Sequence, residues 1–410
     1  MHRWLFSAAL VAVALTGCLG PQKDKLPILA WMGPPAEHTT FARYGELRAA
    51  GFTHSFTPHP NADSMEVALN VAHRTGIKLL VACPELRTDP EGTVARFINH
   101  PANAGYYLRD EPSAVEFAEL AGWVERIRAV DDTRPCYINL FPSYASPEQL
   151  GTPTYREHVE RFVDEVPVQI ISFDHYPVVE VGGQTSLRPE WYGDLEIVSE
   201  AARGAGKPLW AFALSTAHEP YPIPTKAHLR LQMYSNLAHG AQALQYFTYW
   251  TPVSTQWDFH TGPIESDGTR TPVYDTVREV TAELQARAWV FMDSEVLQVG
   301  HTGASIPAGT RRFEPAPPLV RVDTSPSGAV VSVLARQEKR FLVVVNRSLE
   351  EVLAIDIVWS TAVTPERVDR TGRLQPVSDR DTGFTLDPGD AAIFHWGEPA
   401  SPTTGRATGG

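Results

Sequence analysis

The stretch GYYLRDEPS, Gly105 to Ser113, sets Arg109, Asp110 and Glu111 side by side at the end of an apolar run. Two adjacent carboxyls repel each other when both are ionised, so one of them holds its proton to higher pH and can still donate it near neutrality. A protonated carboxyl facing an ionised one is the pair that glycosidic cleavage needs. The first protonates the leaving oxygen; the second attacks or stabilises the oxocarbenium-like carbon, or activates water. Glu111 is the candidate acid. Its candidate partner is Asp174 in IISFDHYP, with Glu219, Asp258 and Glu265 as alternatives on loops. Plainer roles stand beside these: Asp110 and Glu111 as partners of Arg109 that end a strand, and Asp174 as a carboxylate fixing a turn through backbone N–H groups.

Other residues at comparable places supply a sugar's remaining needs, which are flat apolar faces to stack on and directional donors and acceptors for hydroxyls. Candidates for substrate binding are Trp31, His59, Asp110, Asn139, His175, Tyr176, His218, Tyr249 and Trp250. The histidines read equally as hydrogen-bonding rim residues. No HxH or HExxH pair occurs, and no metal or cofactor is expected. Trp210 and Phe212 read as core, while Trp257, Asp258 and His260 either line a cleft or pack down their own loop.

These residues share a position because of the elements that carry them. From Leu26 to Trp250, eight short runs, among them LPILAWM, IKLLVACP, AGYYLRD and KPLWAFALS, are apolar on consecutive positions. Strands of a parallel sheet buried on both faces have that pattern. Amphipathic helical segments alternate with them, several opened by capping pairs: Ser113 with Glu116, Thr154 with Glu157, Asp63 with Glu66. Eight such units predict a (β/α)8 TIM barrel over residues 26–300, with chemistry at the carboxyl ends of the strands. The ends of the fourth and sixth strands lie two strand spacings, about 10 Å, apart, within reach of inward-leaning carboxyls. A doubly wound sheet would need a glycine-rich turn after the first strand, and LPILAWMGPPAEH lacks one. Beyond a proline-rich passage, strands separated by SPSG, RTG and DPGD predict a small antiparallel β-sandwich over 319–397, followed by a disordered tail, 398–410.

The 410 residues carry a net charge of −13 and no basic run, which argues against nucleic acid as a partner. The first 17 residues read as an export signal with a short apolar stretch, and LTGC places Cys18 as a lipidated first residue, followed by a linker, 18–25. An exported bacterial lipoprotein of the cell envelope is expected, held to the membrane through Cys18. The other two cysteines, Cys83 and Cys136, fall at opposite ends of the strand reading, too far apart for a disulfide.

RDEP at the end of the fourth strand resembles the Asn-Glu-Pro motif of the clan A (β/α)8 glycoside hydrolases, whose glutamate is the acid/base. The resemblance implies that role for Glu111. Trp250 is similar to the aromatic that floors the sugar subsite in that clan, and LDPGDAAIFHW resembles part of the β-domain that trails many of these enzymes. Asp110 departs from the motif by replacing the asparagine. A larger departure lies at the seventh strand, where the clan places its nucleophilic glutamate and this chain has Ala213, Leu214 and Ser215. Either the second carboxylate has moved, giving a glycoside hydrolase acting on an oligo- or polysaccharide, or the chain is a carbohydrate-binding lipoprotein without turnover. A metal-dependent hydrolase would want histidines on the first strand, which LPILAWM does not have.

Overall fold

A computed structural model describes residues 25–377 and 383–397. The expected export signal over 1–17, Cys18 and the expected tail over 398–410 lie outside the described residues.

All eight apolar runs are strands of one closed parallel barrel. They are β1 (Ile28–Trp31), β2 (His54–Phe56), β3 (Lys78–Val81), β4 (Asn103–Asp110), β5 (Cys136–Leu140) and β6 (Ile171–Phe173), and, after a two-stranded hairpin, the seventh and eighth barrel strands. The hairpin, β7 (Val178–Val181) and β8 (Gln184–Leu187), is a feature the apolar pattern does not reveal. Its strands are largely exposed beyond Val179 and lack the continuous apolar signature. The barrel closes through β9 (Leu209–Leu214) and β10 (Ala241–Phe247), with β10 pairing back onto β1. Along each strand, alternate side chains fill the barrel interior or meet the helices. Trp31, Phe56, Tyr137, Trp210 and Phe212 form the inner cluster, and Ala30, Ile138 and Ala211 face outward.

Ser113 and Glu116 form the expected reciprocal capping box, and the Thr154 hydroxyl caps Glu157 N–H. The Asp63–Glu66 expectation is corrected: Asn61, two residues earlier, is the cap, its side chain accepting from Ser64 N–H. Gly105 opens the useful part of β4 at φ 144°, and a Cβ there would sit 2.5 Å from the Pro135 carbonyl oxygen, so glycine alone fits. Further along, β4 slips register against β5 between Tyr107 and Arg109.

The carboxyl-terminal domain is two antiparallel sheets. The larger runs in the order β11 (Glu295–His301), β13 (Ala329–Arg336), β14 (Lys339–Asn346), β19 (Ala391–Gly397), β16 (Glu366–Val368), β17 (Leu374–Pro376). The smaller pairs β12 (Leu319–Thr324), β15 (Leu353–Trp359) and β18 (Gly383–Leu386). The domain boundary therefore moves: residues 295–300, placed with the barrel by sequence, belong to a strand that pairs with β13. The central strands of the larger sheet, β13, β14 and β19, are buried on both faces. Phe341, Val343 and Ile393 join the barrel's core, while Leu342, Val344 and Phe394 face the smaller sheet. Helix Lys226–Ala238 sits between barrel and sheet and is buried throughout from His228, which explains its ion pair Arg230–Glu283, closed inside the seam. A buried charge is tolerable only when paired in this way.

Candidate active site

At the carboxyl end of the barrel, Asp110, Glu111 and Asp174 line one cleft of about 430 Å³. Asp110 ends β4 and Asp174 follows β6, as the strand-end reading expected. Glu111 adopts φ 47°, a left-handed conformation that costs a residue with a Cβ about 1 kcal/mol. Its N–H donates to the Asn139 carbonyl at 2.8 Å, which ties the turn to β5. Strain of this kind gathers at sites where a side chain must be aimed. Arg109, the third charge of the triplet, points away and pairs with Glu116 at 3.0 Å, so it does not neutralise its neighbours directly.

All three carboxyls hold their protons more tightly than usual. Burial pushes Glu111 up to about 9, with the charges of Asp174 and then Asp110 adding to it. Asp174 is raised to about 7 by burial and by Asp110, offset in part by Tyr176 and Asn139. Asp110 rises to about 6 through burial, offset by the Asn139 amide and Arg109. Three carboxyls in one poorly solvated place cannot all ionise at neutral pH. Glu111, raised the furthest, keeps its proton at neutral pH, and Asp110, raised the least, is the first of the three to ionise.

Aromatic rings surround the group. Tyr176 and Phe247 lie 5.4 Å apart between centroids, Phe247 and Phe259 5.8 Å, and His218 and Phe259 4.6 Å. Tyr144, Tyr221, Trp257, Phe141 and Gln149 complete the lining. The Tyr176 hydroxyl and Asp174 Oδ1 are buried without a hydrogen-bond partner. Unsatisfied buried polar atoms facing a cleft are what a hydroxyl-rich ligand would satisfy.

Of the other residues read from sequence, Tyr176, His218 and Trp257 line this cleft. Asn139 is buried one layer below and reaches the site through Asp110. Trp31 is a plug of the barrel interior, packed on Phe56, Tyr107, Tyr137 and Phe212. His59 bonds Ser64 and lines a separate cleft of about 490 Å³ beside Cys83 and Trp123, where Arg109 and Arg87 are paired to Glu116 and Glu119. His175 is buried behind Tyr144 and bonds Asp194 at 2.7 Å. Tyr249 is fully buried against Phe52 and Tyr274. Trp250 is turned outward onto His38 and Arg43, and Phe247 is the residue at the end of β10 that lines the cleft. Glu219 and Asp258 line an adjoining trough of about 680 Å³, with Asp258 accepting from Glu219 N–H. Glu265 holds Thr261 N–H. Ser215, at the seventh-strand position, is buried and donates to the Thr248 carbonyl. Cys83 and Cys136 are both free thiols.

Tyr144, Tyr221, Phe247 and Phe259 were missed as site residues. Phe247 was accessible from sequence by alternation, since Ala243 and Gln245 of the same strand point inward. The other three sit on loops whose paths have no period.

A family model described as Beta-galactosidase, glycoside hydrolase family 42, matches residues 93–287, from just before β4 through the last barrel helix. A beta-galactosidase of that family from G. stearothermophilus, in a catalytic-mutant form, superposes with a TM-score of 0.64 at 8% identity, over 91% of this chain and 98% of that one. A beta-galactosidase from Bacillus circulans sp. alkalophilus gives 0.59 at 10% identity, over 90% and 99%. A family 39 glycoside hydrolase from Bacteroides cellulosilyticus gives 0.52 at 12% identity, over 91% and 81%. No curated protein matches the chain.

Proposed function

We propose that this chain, whose barrel resembles those of the clan A glycoside hydrolases, hydrolyses the glycosidic bond of an oligosaccharide, with Glu111 as proton donor and Asp174 as the second carboxylate. The observation that carries this reading is the shared cleft of the two, in which burial and the aspartate charges keep Glu111 protonated at neutral pH. Glu111 gives its proton to the leaving oxygen as the C–O bond breaks, and the carbon gains positive charge that Asp174 and Asp110 offset. Water then supplies the hydroxyl to the carbon and restores the proton. Asp110 has one oxygen on Asn139 and acceptor capacity left for a sugar hydroxyl. The terminal sugar fits among Tyr176, Phe247 and Trp257, and the adjoining trough, which shares His218 and Tyr221, accommodates the rest of the chain.

The substrate to try first is a β-galactoside, the activity named for the matched family. Purified protein would be incubated with aryl glycosides and natural disaccharides while released sugar is measured. Asp174→Ala should be nearly inactive, and if Asp174 is the nucleophile, azide should restore turnover and yield a glycosyl azide. Sugar binding without release from any glycoside would replace the enzyme with a binding protein; near-normal turnover of Asp174→Ala would move the second carboxylate elsewhere. The same proposal places the protein at the membrane through Cys18, on the strength of LTGC. Unchanged membrane retention of Cys18→Ser would remove that part.

A further inference from the structure

Away from the cleft, three chain segments bring Glu196, His239 and His301 together. Glu196 lies in helix Trp191–Gly204, His239 closes helix Lys226–Ala238, and His301 ends β11. One ligand atom from each falls within 4.8 Å of the other two. The three residues are 2%, 1% and 0% exposed. Both Glu196 carboxyl oxygens, His239 Nε2 and both ring nitrogens of His301 are buried without a hydrogen-bond partner. An unsatisfied buried polar group costs about 1–3 kcal/mol, more if charged, and native interiors rarely leave one, let alone five in one place.

His239 is set up as a ligand. Its Nδ1–H donates to the Ser235 carbonyl at 2.8 Å, which fixes the tautomer and leaves the Nε2 lone pair free. Histidines that bind metals are held in this way by a backbone carbonyl. The cation nearest to Glu196, Arg311, stands 3.8 Å off, is largely exposed and pairs more closely with Glu200. It does not satisfy either Glu196 oxygen.

We propose that Glu196, His239 and His301 form a zinc site that staples the sandwich to the barrel. Two imidazole nitrogens and one carboxylate oxygen are a zinc donor set, with the fourth tetrahedral position left to a solvent oxygen. Bonds of about 2.0–2.1 Å put tetrahedral ligands about 3.4 Å apart, so the side chains close by about an ångström around the ion. The two helices belong to the barrel and β11 to the larger sheet, so the ion bridges the seam that Arg370 also crosses in pairing with Glu283. His239 stands just before β10 begins, at the barrel end opposite Glu111, which sets the site apart from the carboxyl cleft.

The test uses tag-free protein stripped with chelator and dialysed. Titration with ZnCl2 should show one ion per chain and raise Tm, because an ion that binds only the folded chain stabilises it by mass action. Co2+ in its place should give the visible absorption of a tetrahedral site. Glu196→Gln and His301→Asn should abolish both signals, and His73→Ala, on the surface, should leave them intact. If the wild-type chain takes up no stoichiometric zinc, the site does not exist, whatever the variants do. Unchanged uptake by Glu196→Gln would also overturn it.

Discussion

Asn139 donates its side-chain amide to Asp110 Oδ1 at 3.2 Å, and it is the last link of a chain crossing the barrel interior. Tyr137 donates to Gln245 Oε1, Gln245 Nε2 to Ser172 Oγ, and Ser172 Oγ to Asn139 Oδ1. Each link fixes which end of the next group must donate, so Asn139 presents N–H groups, and only those, to the carboxylate. Asn139→Leu removes the one side-chain donor that holds Asp110 in its charged form. A hydrogen bond to a charged group is worth about 1.5–3 kcal/mol, which corresponds to about one to two pKa units. The acid limb of the pH–rate profile should therefore move up by about one unit or more. An unmoved limb would show that this bond does not keep Asp110 ionised.

Glu111→Gln preserves shape but cannot give up a proton. Turnover of substrates with poor leaving groups should fall about 100-fold or more, and activated aryl glycosides, which need little protonation, should lose far less. Equal losses on both would assign Glu111 a structural role.

The raised proton affinity of Glu111 also acts on stability. The unfolded chain loses this proton near 4.5 and the folded chain near 9, so between those values the native state binds more protons. Stability is then fully present below about pH 4.5 and is lost as pH rises through 9. Glu111→Gln removes the titrating group. Its Tm should gain on the wild type steadily from pH 5 to pH 9, as scanning calorimetry can follow. A constant difference across that range would mean that Glu111 is not held protonated.

Trp250 and Phe247 make opposite predictions. Trp250 packs on His38 under Arg43, so Trp250→Ala should cost about 3–5 kcal/mol of stability with little change in sugar affinity where folded. Phe247→Ala should weaken sugar binding by about 1–2 kcal/mol and leave the fold in place. Calorimetric binding and denaturant unfolding separate the two, and the reverse outcome would return the sugar platform to Trp250.

The barrel was legible because a strand buried on both faces is apolar at every position, and eight such runs leave few alternatives. Asp110, Glu111 and Asp174 were legible because a strand end is a place that local sequence marks. What lies beside a strand end was not. After Phe247 the chain turns outward, so Tyr249 and Trp250, two and three residues further, serve the helix layer instead. His175 found Asp194, 19 residues on, through the fold. The cluster of Glu196, His239 and His301 draws on three elements and has no spacing to recognise. β11 was assigned to the barrel because the proline-rich passage after it looked like the boundary, whereas its partner β13 lies beyond that passage.

The slip of β4 past β5 leaves Leu108 as an extra residue, with Tyr107 beside Tyr137, Arg109 beside Ile138 and Asp110 beside Asn139. Side chains alternate along a strand, so this single residue decides which member of the triplet faces the cleft. Were Leu108 instead to pair with Ile138 in a regular ladder, Arg109 would stand beside Asn139 and turn inward, and Asp110 would turn out toward the helices. The sign of the charge beside Glu111 would then invert, and a guanidinium would draw the glutamate's proton off instead of holding it on. One unpaired residue in a strand thus decides whether the glutamate beyond it can serve as a proton donor.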